Sequence, residues 1–172
     1  MQVNKALTVI ISLATIVGLS VTLAYRVRPS LKPCLGASSA EFTGTPVFPH
    51  VHFRDHLFRT GKSRAEVLSE PDIVGAEVRF SYKVDDLRGE KLPIRWTLVS
   101  VEKDGTIGAV DRSQDRAIAK LVTPDACSET GGQDLFVQIP DPKKRYRVVL
   151  ELYRSRNLEE RLALAETPVF SG

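Results

Sequence analysis

All three histidines of the chain fall within one short stretch, PHVHFRDH, at residues 49–56. His50, His52 and His56 have the i, i+2, i+6 spacing that a continuous β-strand would turn toward one side. Imidazole nitrogen is a common zinc ligand, and Asp55 could add a carboxylate oxygen to the same site. The stretch therefore raises the hypothesis of a metal site.

Two features of the sequence weigh against a metal site at these histidines. A closed structural zinc site takes four ligands, and the chain has neither a CxxC motif nor a second HxH pair. Val51 and Phe53 alternate with the histidines, and we expect these apolar side chains to face a core. We therefore predict that the histidines lie on the solvated face of a first strand, and we retain His50, His52 and His56 only as metal-ligand candidates.

The other motifs that suggest chemistry lack residues that the chemistry needs. TGKS, at 60–63, resembles the end of a phosphate-binding loop, but His56 stands where such a loop requires its first glycine. No GxSxG motif is present. The acidic pairs at 85–86 and 159–160, and GGQD at 131–134, lie in turn-like or loop-like surroundings. We therefore expect a protein that is not an enzyme, with no catalytic residues, no cofactor and no small-molecule substrate.

A long apolar segment, ALTVIISLATIVGLSVTLAY, occupies residues 6–25 and carries no charge. Twenty helical residues at about 1.5 Å rise each span roughly 30 Å, the thickness of the hydrocarbon layer of a bilayer. We predict a transmembrane signal anchor in contact with membrane lipid. A cleaved signal peptide is the alternative, although the segment is longer than a usual hydrophobic region and Thr22 suits a cleavage site poorly.

Composition divides the chain around this segment. We predict a short N-terminal tail at 1–5, the transmembrane helix at 6–25, a juxtamembrane stalk at 26–48 and a folded head at 49–172. The whole net charge of +3 lies before residue 49, because the head holds 20 basic and 20 acidic side chains. A body of balanced charge gives no support for nucleic-acid binding.

Different features of the sequence predict opposite orientations of the anchor in the membrane. Arg26, Arg28 and Lys32 follow the apolar segment and only Lys5 precedes it, which by the positive-inside rule places the head in the cytoplasm. The very short N-terminal tail, the stalk rich in Pro and Ser, and the β-rich body favour the opposite orientation. We predict a single-pass protein of the cell membrane with an extracytoplasmic head.

Beyond the stalk, the hydrophobic pattern is that of β-strands. AEVRFSYKV, at 76–84, alternates apolar and polar residues, and IRWTLVSV, at 94–101, is followed by the turn pair Asp104-Gly105. Further strands are predicted at 117–122, 134–139, 146–153 and 161–170, and one short helix is predicted within 56–70. Short strands separated by regular turns predict an all-β, two-sheet antiparallel sandwich.

Two aromatic residues make residues 70–172 resemble the immunoglobulin and fibronectin type III group. Trp96 is the only tryptophan and lies on the second main strand, where such domains place a core indole. Tyr146 follows a polar turn at the start of a late strand, a position similar to the tyrosine corner of these domains. The resemblance implies an immunoglobulin-like sandwich whose core includes Phe80, Trp96, Tyr146 and Val148. Val148 would take the place of an antibody-domain cysteine.

The only two cysteines both lie in polar surroundings. Cys34 is in the predicted stalk and Cys127 is in the loop TPDACSETGGQD. Exposed free thiols are disfavoured outside the cell, so we predict a disulfide between them. The bond would close a loop of 93 residues, for which the chain-entropy model gives roughly 4.5 kcal/mol of stabilisation.

These observations predict a membrane-anchored protein that acts through protein-protein interaction, as an envelope adhesion, assembly or accessory subunit with an unknown protein partner. One alternative is a membrane-anchored envelope hydrolase or metal-dependent enzyme, which would need His, Asp and Ser side chains that converge in a deep cleft. Another is a subunit of a membrane complex with a cytoplasmic head, which the basic residues after the apolar segment support.

Overall fold

A computed structural model describes residues 33–110, 117–155 and 157–172 of the chain. Residues Gly36–Gly172 form one compact unit. The apolar segment at 6–25 lies outside the described residues, and within the described ranges no helix has the length and apolar character needed to cross a membrane.

The described residues form ten β-strands and two short α-helices. The strands are β1 (Ser39–Gly44), β2 (Val47–His52), β3 (Val74–Asp85), β4 (Leu92–Val101), β5 (Ile107–Val110), β6 (Ala117–Val122), β7 (Ser128–Gln138), β8 (Arg145–Tyr153), β9 (Arg161–Glu166) and β10 (Phe170–Ser171). The helices, α1 (Phe53–Arg59) and α2 (Arg64–Ser69), both lie between β2 and β3.

The strands form two antiparallel sheets around one hydrophobic core. In the first sheet β3 is central, with β1 and β2 paired along one edge and β7 paired along the other. In the second sheet β4 and β8 pair at the centre, β5 and β6 flank β4, and β9 and β10 flank β8. The prediction of an all-β protein with two antiparallel sheets is confirmed.

The core is built from the inward faces of the central strands. Val78, Phe80, Tyr82 and Val84 are buried at alternate positions of β3, as the two-residue period of a strand requires. The same alternation buries Ile94, Trp96 and Leu98 on β4, and Tyr146, Val148, Leu150 and Leu152 on β8. Phe80, Trp96, Tyr146 and Val148 therefore all lie in the core.

Tyr146 combines a buried ring with a bonded hydroxyl. The residue is 3% exposed, and its hydroxyl donates to the Asp141 carbonyl and accepts from the Asp141 amide, both at 3.1 Å. A phenol removed from water needs such partners. The bonds fix the loop between β7 and β8 to the start of β8.

The first sheet begins earlier than the sequence analysis placed it. Residues 39–48 were assigned to the stalk, but β1 and the start of β2 pair with β3. Phe42 faces the core and meets Phe80 edge-on, with ring centroids 6.3 Å apart. The sheet therefore starts at Ser39 and not at position 49.

GGQD, at 131–134, belongs to β7 and not to a loop. Glycine has a low strand propensity, which is why the sequence predicted a strand only from 134 onward. Gly131 pairs with Tyr82 across the sheet, and a Cβ at Gly131 would collide with the Tyr82 ring. The glycine therefore leaves the space that this buried ring occupies.

The predicted strand at 161–170 is divided into β9 and β10. Pro168 has no amide proton to donate to a strand ladder, and Thr167 bonds to the neighbouring strand in a different way. Its hydroxyl accepts from the Val148 amide at 3.0 Å and its amide donates to the Val148 carbonyl at 3.0 Å. The Thr167 hydroxyl thus takes the place of one backbone acceptor in the ladder of hydrogen bonds between the strands.

One short helix is predicted within 56–70, but the chain forms two helices separated by a turn, and the first begins at Phe53. Gly61, at φ +85°, ends α1 in a conformation that favours glycine. Ser63 then begins α2 with a capping box, in which its side chain accepts from the Glu66 amide and the Glu66 carboxylate accepts from the Ser63 amide. TGKS is therefore the connection between the two helices.

We expect Trp96→Ala to lower the free energy of unfolding by about 3 to 5 kcal/mol, because the change leaves a large cavity in the core. Ile107→Ala is the control, since Ile107 is 60% exposed, and it should change the stability by less than about 0.5 kcal/mol. Urea denaturation of both variants measures the difference. A loss under about 1 kcal/mol in Trp96→Ala would contradict the core role of the indole.

Candidate functional site

The three histidines do not share one face of a strand. His50 has a φ of +58° and β2 ends at His52, so His56 lies on α1. His52 Nδ1 is 3.1 Å from the Asp72 carboxylate at the surface, whereas His56 is buried, with Nδ1 3.0 Å from the Glu77 carboxylate. The predicted common solvated face is therefore wrong for His56. Within the described ranges, no cluster of metal-ligating atoms includes a histidine.

Glu77 is the centre of a buried charged cluster, which also contains His56, Arg59 and Arg79. Its side chain is 1% exposed, although it lies on the outer face of β3. Arg59 Nη2 donates to Oε2 at 2.5 Å, and Arg79 donates to Oε1 from Nη2 at 3.0 Å and from Nε at 3.1 Å. With the His56 contact, both carboxylate oxygens are bonded.

These contacts decide the protonation state of Glu77. Burial by itself would raise the pKa of the carboxyl group, but the hydrogen bonds from Arg59, His56 and Arg79 outweigh it and lower the pKa from 4.5 to about 2. The carboxylate is therefore ionised at neutral pH. A buried acid in this state is a structural anchor and not a general acid.

Aromatic packing beside the cluster attaches α1 to the first sheet. Phe53 lies 4.9 Å from the Phe136 ring on β7, and His56 lies 5.7 Å from the same ring. Phe136 in turn packs closely over Gly75, where a Cβ would lie 2.6 Å from its ring. The charged cluster and these rings together explain why the helix lies against the sheet.

A shallow groove of about 580 Å³ borders the Glu77 cluster. Arg59 and Arg79 line it, but both guanidinium groups are bound to Glu77, and Arg79 Nε also lies 3.7 Å from Asp134. The positive charge of the groove is therefore already compensated.

The predicted disulfide between Cys34 and Cys127 is present. The loop that carries Cys127 is bonded to the turn after β3, because the Asp86 amide donates to the Cys127 carbonyl at 2.6 Å. Asp86 adopts a φ of +55° in this turn.

Four cations surround a depression at one end of the second sheet. We call Lys103, Lys143, Lys144 and Arg145 the basic patch. The depression has a volume of about 450 Å³ and is also lined by Ser100, Val101 and Glu102. The turn between β4 and β5 contributes Lys103, and the loop between β7 and β8 contributes the two neighbouring lysines.

Backbone hydrogen bonds fix both turns that carry the basic patch. In the first turn, Gly105 N donates to the Glu102 carbonyl at 3.0 Å, and Asp104 accepts from the amide and the hydroxyl of Thr106. In the second turn, the Asp141 carboxylate accepts from the Lys143 amide at 2.9 Å. The lysines are therefore presented by ordered backbone.

The hydrogen bonds that Asp104 accepts within its own turn hold the carboxylate in its charged form. The backbone amide and the hydroxyl of Thr106 lower the pKa of Asp104, and the nearby charge of Arg145 adds to the effect. Arg145 itself donates to the Glu102 carbonyl. Asp104 and Asp141 thus each accept a hydrogen bond from a backbone amide of their own turn.

Within the part of the chain that the structure describes, the lysines of the basic patch lack the ion pairs that many other surface cations form, as do Arg64 and Lys91. Their ammonium groups form no ion pair with any residue of the described ranges. Elsewhere basic side chains are paired with acids: Lys62–Glu66, Lys83–Asp85, Arg147–Glu166, Arg154–Glu160 and Arg161–Glu151. Among the described residues, the three lysines of the basic patch therefore carry positive charges without a paired acid, although Glu102 lines the same depression.

An apolar surface adjoins the basic patch on the outer face of the second sheet. Val99 pairs with Val110 and Val101 pairs with Ile107, all outside the core cluster. Ile107 is 60% and Val110 is 41% exposed. Val110 also lines a smaller depression of about 170 Å³ together with Lys144. Apolar and basic side chains therefore form one continuous surface.

Neither cluster is predicted by the sequence, and the reasons differ. Glu77 was placed on the solvated face of its strand, and nothing local shows that α1 covers it. The basic patch has a visible signal, the run Lys143-Lys144-Arg145 directly after a turn. Only the fold brings Lys103 to the same depression.

Comparisons with known proteins give no family. No protein-family model matches the chain, and no curated protein matches it in sequence. Among solved structures, it is similar to an alkylpurine DNA glycosylase of Pseudomonas fluorescens bound to DNA containing an abasic site analogue, with 15% identity and a TM-score of 0.38. The match covers 75% of this chain, which spans only 30% of the glycosylase chain.

A second similar structure is a Niemann-Pick type C2 protein from the Japanese carpenter ant. The identity is 12% and the TM-score is 0.33, over 77% of this chain and 92% of that one. At such scores neither similarity supports an argument about function.

We expect Glu77→Gln to lower the free energy of unfolding by about 3 kcal/mol at pH 7, because the change leaves Arg59 and Arg79 without their buried counter-charge. The folded pKa of about 2 lies below the ordinary value of 4.5. The stabilisation is therefore present above pH about 4.5 and is lost as the pH falls toward about 2.

Urea denaturation at pH 7 and at pH 3 measures this dependence. The stability difference between the native chain and Glu77→Gln should shrink at pH 3, whereas Glu159→Gln, at an exposed acid, should have little effect at either pH. Equal differences at both pH values would show that the carboxylate charge is not the cause.

Proposed function

We propose that residues 6–25 hold this chain in a membrane and that its folded unit lies outside the cytoplasm, where it binds a protein partner. The disulfide between Cys34 and Cys127 supports the location, because such bonds persist in oxidising compartments and are rare in the cytoplasm. The uncharged length of residues 6–25 supports the anchor.

We further propose that the sandwich has an immunoglobulin-like topology. The sheet orders support it. In the first sheet, β1 and β2 correspond to strand A, β3 to strand B and β7 to strand E. In the second sheet, β9, β8, β4 and β5 correspond in turn to strands G, F, C and C′. Trp96 on β4 and the bonded hydroxyl of Tyr146 on β8 are at the positions expected for this topology.

The observation that carries the binding function is the surface formed by the basic patch and its apolar neighbours. Exposed Ile107 and Val110 adjoin lysines that have no paired acid among the described residues, at an end of the sandwich where loops meet. Contiguous apolar surface that is rimmed by polar residues often marks a site of protein-protein interaction. Loops on a rigid scaffold are also common binding surfaces.

The alternative of an envelope enzyme has less support. The depression that His50 borders is otherwise lined by apolar residues and glycine: Val74, Gly75, Ile139, Pro142 and Gly172. Those side chains offer no nucleophile and no acid beside the imidazole. The disulfide weighs against the other alternative, a cytoplasmic head, because cytoplasmic thiols are kept reduced.

We expect the thiols of the chain to resist alkylation in intact cells that express it. Cys34 and Cys127 should be labelled only after reduction, because both sulfurs are in the disulfide. Cys127→Ser is the control and should make Cys34 reactive without reductant. Mass spectrometry of the purified chain counts the labels. Labelling of both cysteines without reductant would contradict the extracytoplasmic location.

We expect affinity capture of the full chain from detergent-solubilised membranes to retain a protein partner in a fixed ratio. Val110→Asp should abolish retention, because it places a charge within the apolar surface. Leu164→Asp is the matched control, at a site 48% exposed on β9, and should retain the partner. Quantitative mass spectrometry compares the three chains. Capture that is insensitive to both changes would place the binding surface elsewhere.

A further inference from the structure

The basic patch combines three properties of an anion-binding site. Its lysine ammonium groups have no acidic partner among the described residues. Glu102 is the only acid among the seven residues that line the depression. The backbone that carries the cations is ordered by hydrogen bonds, so binding requires little rearrangement.

Three hydrogen bonds hold the second turn of the basic patch in place. The Asp141 carbonyl accepts from the Lys144 amide at 3.2 Å and from the Tyr146 hydroxyl at 3.1 Å. The Lys144 carbonyl accepts from the Gly172 amide at 3.0 Å. The position of the lysine backbone is therefore set by the core tyrosine and by a third segment of the chain.

We propose that the basic patch binds an acidic segment of a protein partner, an inference that rests on the proposed function. Carboxylates of the segment pair with Lys103, Lys143 and Lys144, which have no paired acid among the described residues. An apolar side chain of the same segment contacts Val110, which is 41% exposed and lines the adjoining depression. The ligand class is thus an extended acidic peptide with at least one apolar residue.

The chemistry of the surroundings favours a peptide over an anionic membrane surface. Glu102, Asp104 and Asp141 lie in the same two turns as the lysines. A lipid surface would meet these acids together with the cations, whereas a peptide can place its carboxylates beside the lysines alone. The balanced charge of residues 49–172 likewise gives no broad field for a polyanion.

The test uses the full chain in detergent and a fluorescein-labelled peptide, Glu-Glu-Leu-Glu-Glu-Glu, with binding followed by fluorescence anisotropy at low and at physiological salt. The triple variant Lys103→Gln, Lys143→Gln, Lys144→Gln should weaken binding by about tenfold or more, because each lost pair removes a partly desolvated contact. The matched control Lys62→Gln, Lys83→Gln, Lys91→Gln removes the same charge elsewhere and should change binding less than about twofold.

The outcomes separate this inference from its alternatives. If both triple variants bind the peptide equally weakly, the net charge of the chain alone would explain the effect, and the proposal would be overturned. Absence of peptide binding at low salt would also overturn it. Because residues 6–25 would hold the chain on any vesicle, vesicles of phosphatidylserine are compared with vesicles of phosphatidylcholine, and a preference for phosphatidylserine that the peptide fails to abolish would overturn it as well. Displacement of the peptide by a peptide with Gln at every Glu position would show that charge is not recognised.

A second comparison separates the inference from the proposed function. If affinity capture retains a partner and the patch triple variant still retains it, the proposed function stands and the role of the basic patch is refuted. If the native chain captures no partner, the proposed function fails even where the peptide binds.

Discussion

The structure depends on the burial of β3 on both faces along its first half. One face carries the apolar residues of the core, and the opposite face carries Glu77 beneath α1. A charged group in that position is stable only when counter-charges reach it, so the sequence between β2 and β3 must supply them. Arg59 does so from the helix and Arg79 does so from the strand itself, and His56 adds a hydrogen-bonding contact to the carboxylate. The same electrostatic requirement therefore determines both the path of the chain and the packing of the first sheet.

The strands that the sequence predicts correctly are those whose hydrophobic pattern is complete within the strand itself. β3, β4, β6 and β8 were predicted nearly to their ends, because alternation or a run of apolar residues marks them without reference to the rest of the fold. β1 was missed and the first predicted strand was placed too late in the chain, because β1 and β2 contain Gly and Pro and are stabilised by pairing with β3. β7 was shortened at Gly131, where the reason for glycine is the ring of a residue on another strand. Tyr146 was located correctly because its bonding partner is only five residues away.

The candidate binding surface is likewise only partly visible in the sequence. The run Lys143-Lys144-Arg145 is visible in the sequence, but a basic run in a turn is more often only solvated. Its significance arises from the depression beside it and from the position of Lys103, and these depend on the pairing of β4 with β8. The histidines illustrate the converse. Their regular spacing suggested one site, but the chain changes from strand to helix between His52 and His56 and separates them.

The disulfide has a consequence for biosynthesis, because of where Cys127 lies along the chain. β7 begins at the next residue, and β8 to β10 follow it. A chain that emerges N-terminus first therefore exposes both sulfurs before the strand that completes the first sheet has been made. With two cysteines in the sequence, oxidation within one molecule has a single product, so no isomerase is needed to correct the pairing. Early oxidation would leave the final strands to assemble onto a covalently closed precursor.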